Sequence, residues 1–211
     1  IDVRPEGLVI VHTNERSSSV LADQEVAGNP NMASGAASLF ILEGVGADTA
    51  FVRGSIENTG GRANLALVAP NVMVVGSEQI NFINLGRVDV VAGEVRIGTD
   101  GQPLHYDTKD GLIVIEGAPL GSTDTDLSLI AGQIDARSAI VANSLSAIAG
   151  GNVINVETLS VEEKAGISDD TEILITIGSS VSAESINLIA TRGALIATAA
   201  RQIAAISFGL E

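Results

Sequence analysis

The chain has 211 residues, 45% of them hydrophobic but only 2% aromatic, so its core must be filled by Val, Ile, Leu and Ala rather than by rings. A formal charge of −15, from 26 acidic and 11 basic residues, repels phosphate and argues against nucleic acid or an anionic membrane as partner. Cysteine is absent, which excludes a disulfide framework and suits a chain that crosses a membrane unfolded, and no apolar run approaches the roughly 18 residues of a membrane span.

Many glycines (23), few prolines (5) and frequent β-branched residues indicate short strands between closely spaced turns. The chain opens at Ile1-Asp2-Val3 in what reads as mid-strand, pointing to a processed or trimmed product. Leu8–Val11 and Val52–Ile56 read as strands, whereas 14–19 and 26–35 are polar and glycine-rich. This irregular first part, about residues 1–60, is where a cap and the first coils are expected, because an uncapped solenoid leaves unpaired backbone at its end.

From residue 61 the chain repeats. Leu65-Ala-Leu67-Val-Ala69-Pro-Asn-Val72-Met-Val74 matches Val88-Asp-Val90-Val-Ala92-Gly-Glu-Val95-Arg-Ile97 at every apolar position. The pattern returns at Leu127-Ser-Leu129-Ile-Ala131-Gly, at Leu145-Ser-Ala147-Ile-Ala149-Gly and at Ile186-Asn-Leu188-Ile-Ala190. Residues i, i+2 and i+4 of each copy share one face, and the small residue after them permits a tight bend. A unit of this length that turns several corners is one coil of a solenoid, whose inward rows are buried by the coils above and below. The fold expected is therefore all-β, a right-handed parallel β-helix over 1–211 as a single domain. Leu67, Val90, Leu129 and Ala147 should form one inward stack.

Two intervals exceed a coil, giving excursions near 98–125 and 157–178. The first is either a hairpin or an extra coil with a polar loop. The second reads as a hairpin of Glu157–Lys164 with Thr171–Gly178, joined by a Gly/Asp/Ser turn. Ala194–Ile206 is Ala-rich and admits a helix, but a strand coil is the preferred reading.

Chemistry-bearing residues are sparse. His105, in Leu104-His-Tyr-Asp107, reads as a solvated polar residue on a loop or hairpin, and His12 as pointing outward from a strand. Asp100, Asp107, Asp110, Asp124 and Asp126 carry the oxygens calcium prefers, yet their spacing fits neither common calcium loop, so a solvated acidic face is preferred. Glu162-Glu163-Lys164 reads as a hairpin charge cluster that discourages edge pairing. No nucleophile–base pair, metal set or cofactor motif is evident, so the chain is expected not to be an enzyme and to carry no cofactor. The competing reading is a carbohydrate-active or carbohydrate-binding β-helix, which would need basic residues converging beside carboxylates.

Pro5-Glu-Gly-Leu-Val-Ile, Ala27-Gly-Asn29-Pro30-Asn31-Met32 and Ala37-Ser-Leu-Phe-Ile-Leu-Glu43 together resemble the two-partner-secretion domain of filamentous haemagglutinin, haemolysin and contact-dependent-inhibition exoproteins. That family has an Asn-Pro-Asn-Leu motif followed by a second, Asn-Pro-Asn-Gly. Here Met32 replaces the Leu, and the second survives as Ala69-Pro70-Asn71-Val72, with Phe82-Ile83-Asn84 like the Phe-Ile-Asn that follows it. The resemblance spans about Asp2 to Gly193. It implies a secretion-targeting domain at the N-terminal end of a large bacterial exoprotein. The implied partner is an outer-membrane β-barrel transporter with periplasmic polypeptide-transport-associated domains. The protein would reach the cell surface through periplasm and outer membrane, without inserting in the membrane, as a monomer. Asn29, Pro30, Asn31, Met32, Pro70 and Asn71 are then the motif residues expected to position the recognised region, although Asn-Pro-Asn also forms turns on its own.

Overall fold

The computed structural model describes residues 2–3, 9–13, 19–20, 39–44, 49–52, 56–57, 63–76, 79–96, 104–164, 173–191, 193–197 and 206–209. These residues are all-β, without helix, and pair mostly in parallel.

The longest sheet has nine strands in the order Asp2–Val3, Val9–Thr13, Leu39–Gly44, Ala63–Ala69, Leu85–Ala92, Asp126–Ala131, Ser144–Ala149, Ser185–Ala190 and Ile206–Gly209. Only its first pair is antiparallel. A second sheet runs in the order Ala194–Ala197, Ile173–Ile177, Gln133–Ala136, Leu112–Glu116, Val72–Gly76, Thr49–Val52 and Ser19–Val20, all parallel. A third face is made of short parallel pairs: Ile56–Glu57 with Phe82–Ile83, then Leu120–Gly121, Ile140–Val141 and Val181–Ser182. Following the chain from Val9–Thr13 to Ala194–Ala197, the long sheet gives way to the second sheet and, in the central circuits, to the third before it resumes; after Leu85–Ala92 and after Ser144–Ala149 two further strands intervene before the second sheet is reached.

The register follows from the aliphatic pattern. Val90 lies opposite Leu67 and Leu129, Leu129 opposite Ala147, and Ala147 opposite Leu188, all of them buried in one cluster. The expected stack is therefore present. Leu65, Val88, Leu127, Leu145 and Ile186 form a second column, and Ala69, Ala92, Ala131, Ala149 and Ala190 a third. A one-residue slip would turn every column outward, so the core itself enforces the register. Fully burying one such Leu or Ile contributes about 1.5–3 kcal/mol.

The alanine column marks the corner, where space is shortest. A Cβ on Gly111 would lie 2.0 Å from the Ala92 carbonyl oxygen, and one on Gly93 2.4 Å from that of Asp107. Only glycine lets backbone segments approach this closely.

Two pairings differ from the sequence reading. Val95 does not repeat Val72: Glu94–Arg96 leaves the circuit and pairs antiparallel with His105–Asp107, and Leu112–Glu116 takes the place beside Val72–Gly76. Likewise Val161–Lys164 pairs antiparallel with Asn152–Asn155, while Ile173–Ile177 lies parallel in the second sheet. Alternation of apolar residues marks a strand but not its partner. The strand reading of the Ala-rich tail holds for Ala194–Ala197 and for Ile206, which begins the final strand; residues between them lie outside the described set.

Candidate functional site

Both departures join in one structure. His105–Asp107 pairs antiparallel with Asn152–Asn155, making a four-stranded sheet ordered Glu94–Arg96, His105–Asp107, Asn152–Asn155, Val161–Lys164. It lies against the outer face of the long sheet. Tyr106, Ile154 and Val156 pack there with Ala66, Val68, Val91, Ile130 and Ile148, a second buried cluster outside the main core.

A buried ion pair sits beneath it. Arg87 and Asp89 alternate on the outer face of one long-sheet strand, and Asp89 is fully buried. Arg87 Nε donates to Asp89 Oδ1 at 2.8 Å and its Nη2 to Oδ2 at 2.5 Å; that Nη2 also donates to the Val156 carbonyl at 2.6 Å. Tyr106 donates its hydroxyl to Asp89 Oδ2 at 3.0 Å. Burial opposes the Arg87 charge, but hydrogen bonding and charge from Asp89 more than offset it and hold the guanidinium pKa above its ordinary value. Burial first, and the charge of Asp89 second, push the Tyr106 hydroxyl well above the usual phenol range. The tyrosine is a neutral donor at any physiological pH.

The rim is polar and paired. Thr108 N donates to the Asn152 carbonyl at 3.0 Å, and Asn152 N to Thr108 Oγ1 at 2.9 Å. Asn152 Oδ1 accepts from Thr191 Oγ1 at 2.9 Å. His105 Nε2 lies 2.6 Å from Glu162 Oε2, and Asn155 Nδ2 donates to Glu162 Oε1 at 3.0 Å. The Asn155 bond first, then His105, holds the Glu162 carboxyl below its ordinary range. Asp107 is buried and faces the Arg96 guanidinium, with Lys109 Nζ 3.8 Å away, so its oxygens meet cations rather than a directed hydrogen-bond donor.

The residues singled out in the sequence fall in different places. Asn29, Pro30, Asn31 and Met32 lie outside the described residues, as does Asp100. Pro70 and Asn71 form the first described corner, Pro70 half-buried and Asn71 exposed, with the Asn71 carbonyl accepting from Leu112 N at 2.8 Å. His105 stands on a hairpin strand, one of the two placements expected, but it is not solvated: its side chain is 18% exposed and paired with Glu162. The backbone of His12 lies in Val9–Thr13. The acidic residues do not converge. Asp110 and Asp124 are exposed, Asp126 accepts from Asn143 and Ser144, and among the described residues no three metal-binding side chains group together.

Arg87, Asp89, Tyr106 and Asn152 escaped the sequence reading. Their signal was faint but present. The outward positions of the matching strands are Asn64 and Ala66, Asp126 and Ser128, Ser144 and Ser146, Ser185 and Asn187, so Arg87 and Asp89 are the one pair of opposite charges among them.

The described residues thus define an all-β chain of stacked parallel strands that carries an antiparallel sheet on one outer face. No family model matches the chain. Its relatives are CdiA contact-dependent-inhibition proteins. The tRNA nuclease CdiA-2 of Burkholderia pseudomallei is 29% identical over 137 residues, covering 64% of this chain and 4% of the relative. The tRNA nuclease CdiA of Yersinia mollaretii is 28% identical over 178 residues, covering 84% and 6%. The 16S rRNA endonuclease CdiA of Enterobacter cloacae is 26% identical over 153 residues, covering 72% and 4%. The chain therefore spans about one-twentieth of the length of the relatives it matches.

These names correct one expectation. The chain was expected not to be an enzyme because no catalytic constellation is visible in its sequence, whereas the relatives are named for cleaving RNA and point to an enzymatic, nuclease activity.

Proposed function

We propose that this chain is the secretion-targeting part of a large contact-dependent-inhibition exoprotein that kills by cleaving RNA. The observation that carries this is the sharing of one stretch by relatives named for different targets, tRNA in two and 16S rRNA in the third. A stretch common to both is suited to a task they share, and export is such a task. The stacked parallel strands support a right-handed parallel β-helix forming one domain over 1–211, with residues 1–60 as cap and first coils and with the two excursions, expected near 98–125 and 157–178, carried by the antiparallel strands between 94 and 107 and between 152 and 164.

In this reading the chain passes through the periplasm, is recognised by the polypeptide-transport-associated domains of an outer-membrane β-barrel, and reaches the cell surface. Circuits that contact only their neighbours can then fold progressively from one end. Asn29-Pro30-Asn31-Met32 and the corner at Pro70-Asn71 position the region presented to the transporter.

Secretion through the cognate transporter is the test. Asn31→Ala truncates one polar side chain; were it hydrogen-bonded, the loss would cost about 1 kcal/mol, which a stack of buried circuits tolerates. Export should fall severalfold while β-rich circular dichroism and most thermal stability persist. Normal secretion of both Asn31→Ala and a Pro30 variant would reduce the motif to an ordinary turn. The relatives' names also favour a second reading, in which this stretch takes part in RNA cleavage. Cleavage of tRNA or 16S rRNA by the purified chain, with no binding to the transporter's periplasmic domains, would replace the export reading with that one.

A further inference from the structure

We propose that the antiparallel sheet is a strap that closes only after the circuits beneath it have stacked, and that the Arg87–Asp89 pair fastens it. The inner pair of its strands, His105–Asp107 and Asn152–Asn155, come from different circuits, and a further long-sheet strand, Asp126–Ala131, lies between those circuits. Ile130 of that intervening strand is buried under the strap. The fastening contacts are as remote. Arg87 meets the Val156 carbonyl across 69 residues, Thr108 meets Asn152 across 44, and His105 meets Glu162 across 57.

Pairing such distant segments first would incur the whole loop-closure cost before any compensating contact forms. Stacking the circuits first brings both departures to the same corner, because the first rejoins at Gly111 and the second leaves after Gly150-Gly151, two long-sheet strands on from Leu85–Ala92. The electrostatics impose the same order. On an open sheet face the Arg87–Asp89 pair is solvated at little cost. Its desolvation falls due only when Tyr106 and Val156 cover it, and is offset then by the tyrosine hydroxyl and the Val156 carbonyl. The pair resists closure until its last partners arrive and resists opening afterwards.

Two measurements on the full chain test this. In pulsed hydrogen exchange during refolding, the Leu129 and Ala147 amides should gain protection at least about tenfold sooner than those of Thr108 and Val156. Strap amides protected together with the stack, or before it, would overturn the order of events. In native-state exchange, Asp89→Asn should speed the Thr108 and Val156 amides by about a hundredfold while leaving Leu129 and Ala147 within about threefold of their original rates. Equal acceleration everywhere, or none, would remove the pair's role. If Asp89→Asn does not fold, Tyr106→Phe decides, because it deletes one hydroxyl and should speed the strap amides alone by about fivefold.

Discussion

The stack and the strap solve the same problem, covering a sheet face, with opposite chemistry. In the stack each side chain rests on its own kind: Leu65 on Val88, Ala131 on Ala149, Ile134 on Ile175. Such columns are non-directional, so a lost methylene is felt but a conservative exchange is tolerated. In the strap polar groups meet particular partners, and the most remote of these pairings cross 44 to 70 residues. Uniform packing gives the stack its stability, whereas directed contacts give the strap a single closed geometry.

The largest effect should come from putting strap chemistry into the stack. Leu129 is buried between Val90 and Ala147, with no polar partner in its column. Leu129→Asp would bury an unpaired carboxylate, at a cost of several kcal/mol, comparable to the whole stability of a domain. Loss of the cooperative thermal transition is expected. A variant that melts within a few degrees of the original would show that the columns do not carry the fold.

A smaller effect should come from unpairing the strap's buried charge. Arg87→Met leaves Asp89 buried without its cation, with only the Tyr106 hydroxyl still donating to it, a loss of about 3–5 kcal/mol. Adding Asp89→Leu should recover most of that, because an apolar pair of similar volume needs no desolvation. Chemical denaturation of the single and double variants measures this directly. Failure of the double variant to recover would mean that the ion pair itself, rather than filled space, holds the strap.

The same contrast explains what was legible in the sequence. The inward columns were visible because every copy repeats the same aliphatic row and ends at a small residue, a local pattern that needs no knowledge of partners. The strap was not visible, since His105–Asp107 and Asn152–Asn155 are short, partly polar strands whose pairing depends on how many circuits intervene. Val95 was mistaken for a repeat of Val72 because both follow an Ala corner at the same spacing. What separates them is the strand's partner: Glu94–Arg96 turns out to pair with His105–Asp107, where Gly93 comes close to Asp107, whereas Val72–Gly76 stays in the second sheet. At Asn29–Met32 the residues themselves indicate a turn, and the role in presenting the chain for export comes from the resemblance.

The smallest effect lies at the strap's outer edge, at Glu162. Its carboxyl is held below its ordinary value of 4.5 by the Asn155 amide first and by His105 second. A folded-state value below the unfolded one means that the carboxylate contributes stability in full above the unfolded value, and that this contribution is lost as pH falls through the folded one. The strap's edge should therefore be insensitive to acidification down to about pH 5 and loosen below about pH 4. Glu162 is exposed, so salt should weaken the effect. The difference in melting temperature between the original chain and Glu162→Gln, followed from pH 7 to 3, isolates this group from other carboxylates. A difference that stays constant above about pH 5 and shrinks below it, more steeply at low salt, is expected. A difference that does not change with pH would show that Glu162 holds the edge by shape and amide hydrogen bonding alone, leaving Arg87–Asp89 as the strap's charged fastening.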